Sequence, residues 1–515
     1  TTLLSSAGQM CIRDRGPPSR FFRGNTGMHD RSRVAAIGQA GISGNVALWL
    51  LVSALVGLAG CASRPVNEPI AEIDPRGGYR PSVLVPQRAN NLRDTLFVLS
   101  FSGGGTRAAA LSYGVLEELN RTEIEVDGKQ RRLIDEVDVI TGVSGGSFTA
   151  LSYALYGDQL FEEYEQRFLK RNVQKDLIWR SLNPFNWGKL MSGNYGRSEL
   201  AAEYYDEILF DNATYADLVD IPGPVAIATG TDMSIGTRFG FYQNDFDLIC
   251  SDLSSVKISR AAATSSAVPV VLSPVTFNNY GGTCGYQYPP WVKDVLAIDE
   301  HKRPAGRALE RYHDMAGFTD SGNRPYLHLV DGGVADNLGV RGVLDALEEA
   351  FLSHDFAEQR GLLLVRRLVI IVANAHSQET NDWERKESPP GMFSQLMKSS
   401  GVPIERYSFE TIELMKDRAA VARWRRDLLV AQARLAGMSE EAAQASIPDI
   451  EVHVMEVSFD RISDPERRLK FQGLPTSFVL PDAEVDSLRA VAGELMLQSP
   501  EYRGILSSFG VAIDE

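Results

Sequence analysis

The 515-residue sequence predicts an α/β fold with a mainly parallel central sheet, because three segments share one pattern: an apolar run, a glycine cluster, then a helix-forming stretch. Residues 96–101 run into Gly103-Gly104-Gly105-Thr106-Arg107 and then the helix-like 108–119. Residues 137–140 run into Gly142-Val143-Ser144-Gly145-Gly146 and then 148–155. Residues 326–330 run into Asp331-Gly332-Gly333, then Asn337 and a helix-like run from Val340. Residues 225–229 read as a further core strand.

The second segment is a G-x-S-x-G nucleophile elbow. Gly142 and Gly146 allow a tight turn and leave room for a carbonyl to approach the Ser144 hydroxyl. In the first segment, bare amides of Gly103, Gly104 and Gly105 open a helix, where an oxyanion, a phosphate or a pyrophosphate can be held. That spacing also fits the dinucleotide pattern G-x-G-x-x-A, with Glu123 or Glu125 at roughly 20 residues for a ribose contact. No Gly-Lys-Ser/Thr follows, so it is not a P-loop. The third segment delivers a carboxylate, Asp331, from a strand tip.

Taken in order, the three segments resemble the patatin-like phospholipase family. Ala263-Thr264-Ser265-Ser266-Ala267-Val268-Pro269 and Leu474-Pro475-Thr476-Ser477-Phe478 add to the likeness, which spans roughly residues 94–478. The resemblance implies a three-layer fold with helices on both faces of the sheet and a metal-independent, cofactor-free Ser–Asp dyad. Ser144 would be the nucleophile, Asp331 the base, and Gly103, Gly104 and Gly105 the oxyanion donors. Arg107, Gly142, Gly146, Gly332 and Gly333 would shape the site. The implied substrate is a phospholipid, lysophospholipid or other acyl ester. An α/β-hydrolase triad in the order Ser…Asp…His is the alternative, with His376 or His453 as the third member. A non-catalytic envelope protein that binds lipid or positions partners is another.

Formal charge is −15, from 52 Lys and Arg against 67 Asp and Glu. Residues 1–61 carry six Arg against two Asp, which leaves −19 on the rest. Bulk charge therefore disfavours nucleic acid and anionic lipid as partners. Arg31 and Arg33, the apolar residues 46–58 and Leu58-Ala59-Gly60-Cys61 resemble a bacterial lipoprotein signal, with Cys61 the lipidated residue. An uncleaved signal anchor is the alternative. Ala62 after the cysteine resembles lipoproteins sent to the outer membrane, so a lipid-anchored protein facing the periplasm is expected. Residues 1–27 look like translated adapter sequence, with Met28 the biological start; 28–61 form the signal, 62–91 a flexible tether and 92–515 the catalytic domain with insertions.

In an oxidising compartment Cys250 and Cys284 can pair, and the alternative is two buried thiols. Residues 177–191 gather Trp179 and Trp187 among apolar neighbours beside Arg180 and Lys189. They suit an interfacial or lid role, or simply core packing. Residues 412–435 read as a solvated helix, with Trp424 among Arg423, Arg425 and Arg426.

Overall fold

β1 (Thr95–Phe101) is buried along almost its whole length, as is β9 (Arg367–Asn374), and such strands must be covered on both faces. The computed structural model describes residues 63–87, 92–126, 128–297, 306–352, 362–378, 382–447 and 450–511. The main sheet also contains β4 (Val139–Gly142), β5 (Val225–Asp232), β6 (Arg238–Gly240), β7 (Val275–Asn278), β8 (Tyr326–Asp331) and β10 (Glu451–Ser458), in the order β10-β9-β1-β4-β5-β8-β7 with β6 also on β5. From β10 to β5 every neighbour is parallel. β6, β8 and β7 extend the sheet antiparallel. β7 alternates between buried and half-buried residues, as an edge strand with one wetter face should.

Helices cover both faces. Phe97, Leu99 and Phe101 of β1 point into the larger core with α1 (Gly105–Arg121), α2 (Gly145–Tyr156) and α8 (Asp482–Gln498). Val98 points the other way, with Leu368, Ile370 and Val372 of β9, against α6 (Arg341–Leu352) and α7 (Met392–Leu435). The helices between α2 and α6 include α3 (Val173–Leu182), α4 (Pro184–Leu190) and α5 (Ile258–Ser265). α7 extends the helix expected over 412–435 by 20 residues upstream, and Trp424 is exposed on it. No helix among the described residues is long and apolar enough to cross a membrane.

The flexible tether needs correction. Residues 63–80 lie on the domain, held by polar side chains. Asn67 is buried, and its Nδ2 donates to Ser251 Oγ at 2.8 Å. Tyr79 is buried and its hydroxyl accepts the Ala226 N–H of β5 at 2.7 Å. Arg80 forms a two-pronged buried pair with Asp247, at 2.6 and 3.0 Å. Pro81–Gln87 then forms a short helix. A lack of hydrophobic periodicity suggested an extended segment; it is extended but pinned, because hydrogen-bonding side chains supply the anchorage. The leader, the signal segment and Cys61 lie outside the described residues.

Cys250 and Cys284 are joined by a disulfide with a Cα–Cα distance of 5.5 Å. Both cysteines are buried, and the arm runs alongside: the Ile70 N–H donates to Cys250 O at 2.9 Å.

Candidate active site

Ser144 stands between β4 and α2 with φ 48° and ψ −121°, a backbone that residues with side chains rarely adopt and that the surroundings must hold. Its N–H donates to Ser265 Oγ at 2.9 Å, and Ser147 Oγ donates to its carbonyl at 2.6 Å. Crowding explains the glycines beside it. A Cβ on Gly145 would lie 2.0 Å from Gly105 O, one on Gly146 2.5 Å from Phe101 O, and one on Gly142 2.6 Å from Ser147 Cα. Gly145, which the elbow motif leaves unspecified, is the tightest of the three.

Register brings Asp331 to the serine. On one side of β5, Ala228 pairs with Gly142; on the other, Gly230 pairs with Asp331. Ser144 lies two residues beyond Gly142, just as Gly230 lies two beyond Ala228. Serine and aspartate therefore leave the sheet at one height. The Ser144 side chain lies close enough to the Asp331 carboxylate to favour its charged form, and the Gly333 N–H donates to Asp331 Oδ1 at 2.8 Å. The end of α5 and the turn after it align both residues: the Asp331 N–H donates to Ala267 O at 3.0 Å, and the Gly332 N–H to Ser265 O at 3.2 Å. A Cβ on Gly332 would lie 2.3 Å from Thr229 O, and one on Gly333 2.8 Å from Asn337 Oδ1.

Ser144 and Asp331 are 6% and 7% exposed, enough to be reached while largely dry. Burial pushes the Asp331 carboxyl up to about 6, and the bond from Gly333 and the Ser144 side chain pull the other way. An aspartate so placed is a far better base than one in water.

Of the three glycine amides expected to face an oxyanion, one is already engaged. The Gly103 N–H donates to Asn337 O at 2.9 Å, so it is spent on holding the loop to the segment after Asp331. Gly104 and Gly105, with φ 145° and 60°, have amides with no acceptor among the described residues, at the N-terminus of a 17-residue helix. Gly103 nonetheless sits against the serine, since a Cβ there would be 3.4 Å from Ser144 Cβ. Arg107 is buried and works as a clamp. Its Nε donates to Ala375 O at 2.9 Å, Nη1 to Leu474 O, and Nη2 to Thr476 Oγ1 at 3.0 Å. The Leu474-Pro475-Thr476-Ser477-Phe478 segment thus backs the glycine loop, and the Thr106 N–H donates to Ser477 O at 2.8 Å.

The other sequence readings find no support here. Glu123 and Glu125 are exposed on a separate hairpin of β2 (Glu123–Val126) and β3 (Lys129–Arg132), away from the main sheet. His453 lies within β10 opposite Val369, its Nε2 3.7 Å from Glu451. His376 follows β9, and neither histidine bonds Ser144 or Asp331 among the described residues. Sequence reasoning did not assign roles to Ser265 and Asn337. Among the described residues no group of three or more His, Cys, Asp and Glu could hold a metal ion.

Residues 99–344 match the family model described as patatin-like phospholipase. No curated protein sequence matches the chain. Among solved structures, human GIVD cytosolic phospholipase A2 overlaps 81% of this chain, at 11% identity and a TM-score of 0.35; the chain spans 60% of that protein's length. VipD from Legionella pneumophila overlaps 90% of this chain and 78% of its own, at 12% identity and a TM-score of 0.22. With elbow, glycine loop and aspartate all inside the matched segment, the chain carries a patatin-like phospholipase domain over residues 99–344.

Proposed function

We propose that this protein is a lipid acyl hydrolase working through a Ser144–Asp331 dyad. The observation that carries it is the register that sets Ser144 beside the buried Asp331 carboxylate at one height of the sheet. Ser144 Oγ attacks the ester carbonyl as its proton passes to Asp331. The carbonyl oxygen, now negative, is met by the amides of Gly104 and Gly105. On collapse the C–O bond to the leaving group breaks, and the departing oxygen takes the proton from Asp331. Asp331 then deprotonates water, which attacks the acyl-enzyme; the Oγ–acyl bond breaks, Asp331 returns the proton to Ser144 Oγ, and the fatty acid leaves. Phospholipid or lysophospholipid is the substrate class that the family supports. The test is a fluorophosphonate probe together with a panel of esters and phospholipids. Labelling and hydrolysis should occur in the parent and vanish in Ser144→Ala; a folded parent that neither labels nor hydrolyses would remove the assignment.

The same proposal places the protein in a bacterial envelope, held by acylation of Cys61. The lipobox Leu58-Ala59-Gly60-Cys61 supports this. Radiolabelled palmitate should enter the parent and not Cys61→Ser.

A further inference from the structure

α3 and α4 spend large apolar side chains on water. Trp179 is 64% exposed, Phe185 90%, Trp187 51% and Met191 83%. Of the two helices only Val173 is buried. Val173 and the half-buried Leu177 tie α3 to the core, and polar contacts shape the rest: Asn172 caps α3, Asn183 caps α4, and Asn186 Nδ2 donates to Arg180 O at 2.8 Å. An apolar face held out by polar struts is not an unfinished core. Contiguous exposed patches of this kind mark interaction surfaces.

Two contact routes tie this face to the catalytic residues. On one, the Gln174 N–H donates to Phe478 O at 3.3 Å, and the neighbouring Ser477 touches Gly105 of the oxyanion loop. On the other, Lys189 of α4 pairs with Glu203 of the next helix (Arg197–Tyr205), whose Arg197 Nη2 donates to Val270 O at 3.0 Å, three residues past Ala267, the acceptor of the Asp331 N–H. Val270 and the adjacent Val271 are both exposed. Val270 has φ 74°, a left-handed backbone that a β-branched residue adopts only when held there. The loop beside the aspartate therefore accepts strain where it shows two valines to solvent.

Charge selects the occupant. Arg180 pairs with Glu207, and Lys189 with Glu203 at 2.9 Å, so two of the three cations on α3 and α4 are neutralised within the protein and only Lys175 is left exposed. The whole chain carries −15. An anionic surface gains little here and is repelled by the rest of the molecule, whereas a neutral or zwitterionic one is not. Tryptophans suit the boundary between headgroups and acyl chains.

We infer that the face made by Trp179, Phe185, Trp187, Met191, Val270 and Val271 is a docking surface for zwitterionic lipid bilayers, which sets the mouth of the Ser144–Asp331 site against the membrane. This rests on the lipid-hydrolase proposal above. The test is flotation of the full chain with phosphatidylcholine vesicles in a Cys61→Ser background, so that no attached acyl chain contributes. The parent should bind, with a blue-shifted tryptophan emission and little change between low and high salt. Trp179→Ser/Phe185→Ser/Trp187→Ser should lose at least about tenfold in vesicle affinity, since each such side chain contributes around that factor on burial. It should hydrolyse a short-chain water-soluble ester at the parental rate and melt at the parental temperature. Parental binding by the triple variant overturns the inference. So does binding that needs anionic lipid and disappears with salt, or a self-associating parent that ignores vesicles. Soluble-ester hydrolysis without vesicle binding sinks the docking face alone. Vesicle binding with neither hydrolysis nor fluorophosphonate labelling sinks the catalytic assignment alone.

Discussion

The amide of Ser144 donates to the hydroxyl oxygen of Ser265, 2.9 Å away and 121 residues on in sequence. This bond fixes the strained turn of the nucleophile from a helix whose end, with the turn after it, also fixes Asp331. Ser265→Ala leaves a buried N–H without its partner, at a cost of about 1–3 kcal/mol. kcat on a soluble ester should fall by roughly tenfold or more with KM little changed, and Ser265→Thr should restore part of it. Steady-state kinetics beside a melting curve separates the loss of alignment from the loss of fold.

Ser144→Ala and Asp331→Asn should each remove nearly all esterase activity, and the double variant should be no worse, because nucleophile and base act as one unit. His376→Ala and His453→Ala should stay active. A triad histidine would bring a fall of about 10³-fold or more, comparable to the serine variant. Such a fall in either histidine variant, with the melting temperature kept, would replace the dyad by a triad.

Because burial pushes Asp331 up to about 6 from its ordinary 3.8, kcat/KM should rise as pH climbs through about 6, as the base loses its proton. The stability consequence has the opposite sign. A carboxyl with a raised folded pKa favours the folded state most while protonated, so its contribution is lost progressively as pH rises from about 4 to above 6. The difference corresponds to roughly 3 kcal/mol at neutral pH. Asp331→Asn should therefore be inactive yet more stable than the parent at pH 8, with the gap closing near pH 4. Urea denaturation at the two pH values measures it.

Replacing both Cys250 and Cys284 by Ser should destabilise the protein by about 3–4 kcal/mol, the chain-entropy value for the 34-residue separation. Mass spectrometry of unreduced peptides from exported protein should show the cross-link. Two freely alkylated thiols would remove it.

What the sequence made legible, and what it hid, follows from how far apart the interacting groups lie. Ser144, Asp331 and the glycine loop each sit where an apolar run meets glycines, a local signal that survives without knowledge of the fold. The burial of β1, β4 and β9 on both faces likewise left continuous apolar runs to read. Ser265 and Asn337 had no such signal, since each acts through contacts with segments distant in the chain. Gly103 looked equivalent to its neighbours until Asn337 O was seen to take its amide. Trp179 and Trp187 suited a core as well as a surface by composition, and only their exposure decides between the two. Residues 63–80 misled because polar anchors such as Asn67 and Arg80 leave no periodic trace.

That pinned arm also resolves a hazard at the end of the sheet. Among the described residues β7 pairs with a strand on one side only, and an open row of N–H and C=O groups is a template on which another molecule's strand can add. The arm fills the row with side chains: Asn67 Oδ1 accepts the Asn278 N–H at 2.8 Å, Asn67 Nδ2 donates to Asn278 O at 2.9 Å, and Arg64 Nη1 donates to Thr276 O at 3.0 Å. One asparagine thus imitates the paired bonds of a partner strand without offering a further edge of its own, so the sheet ends there instead of growing into aggregates.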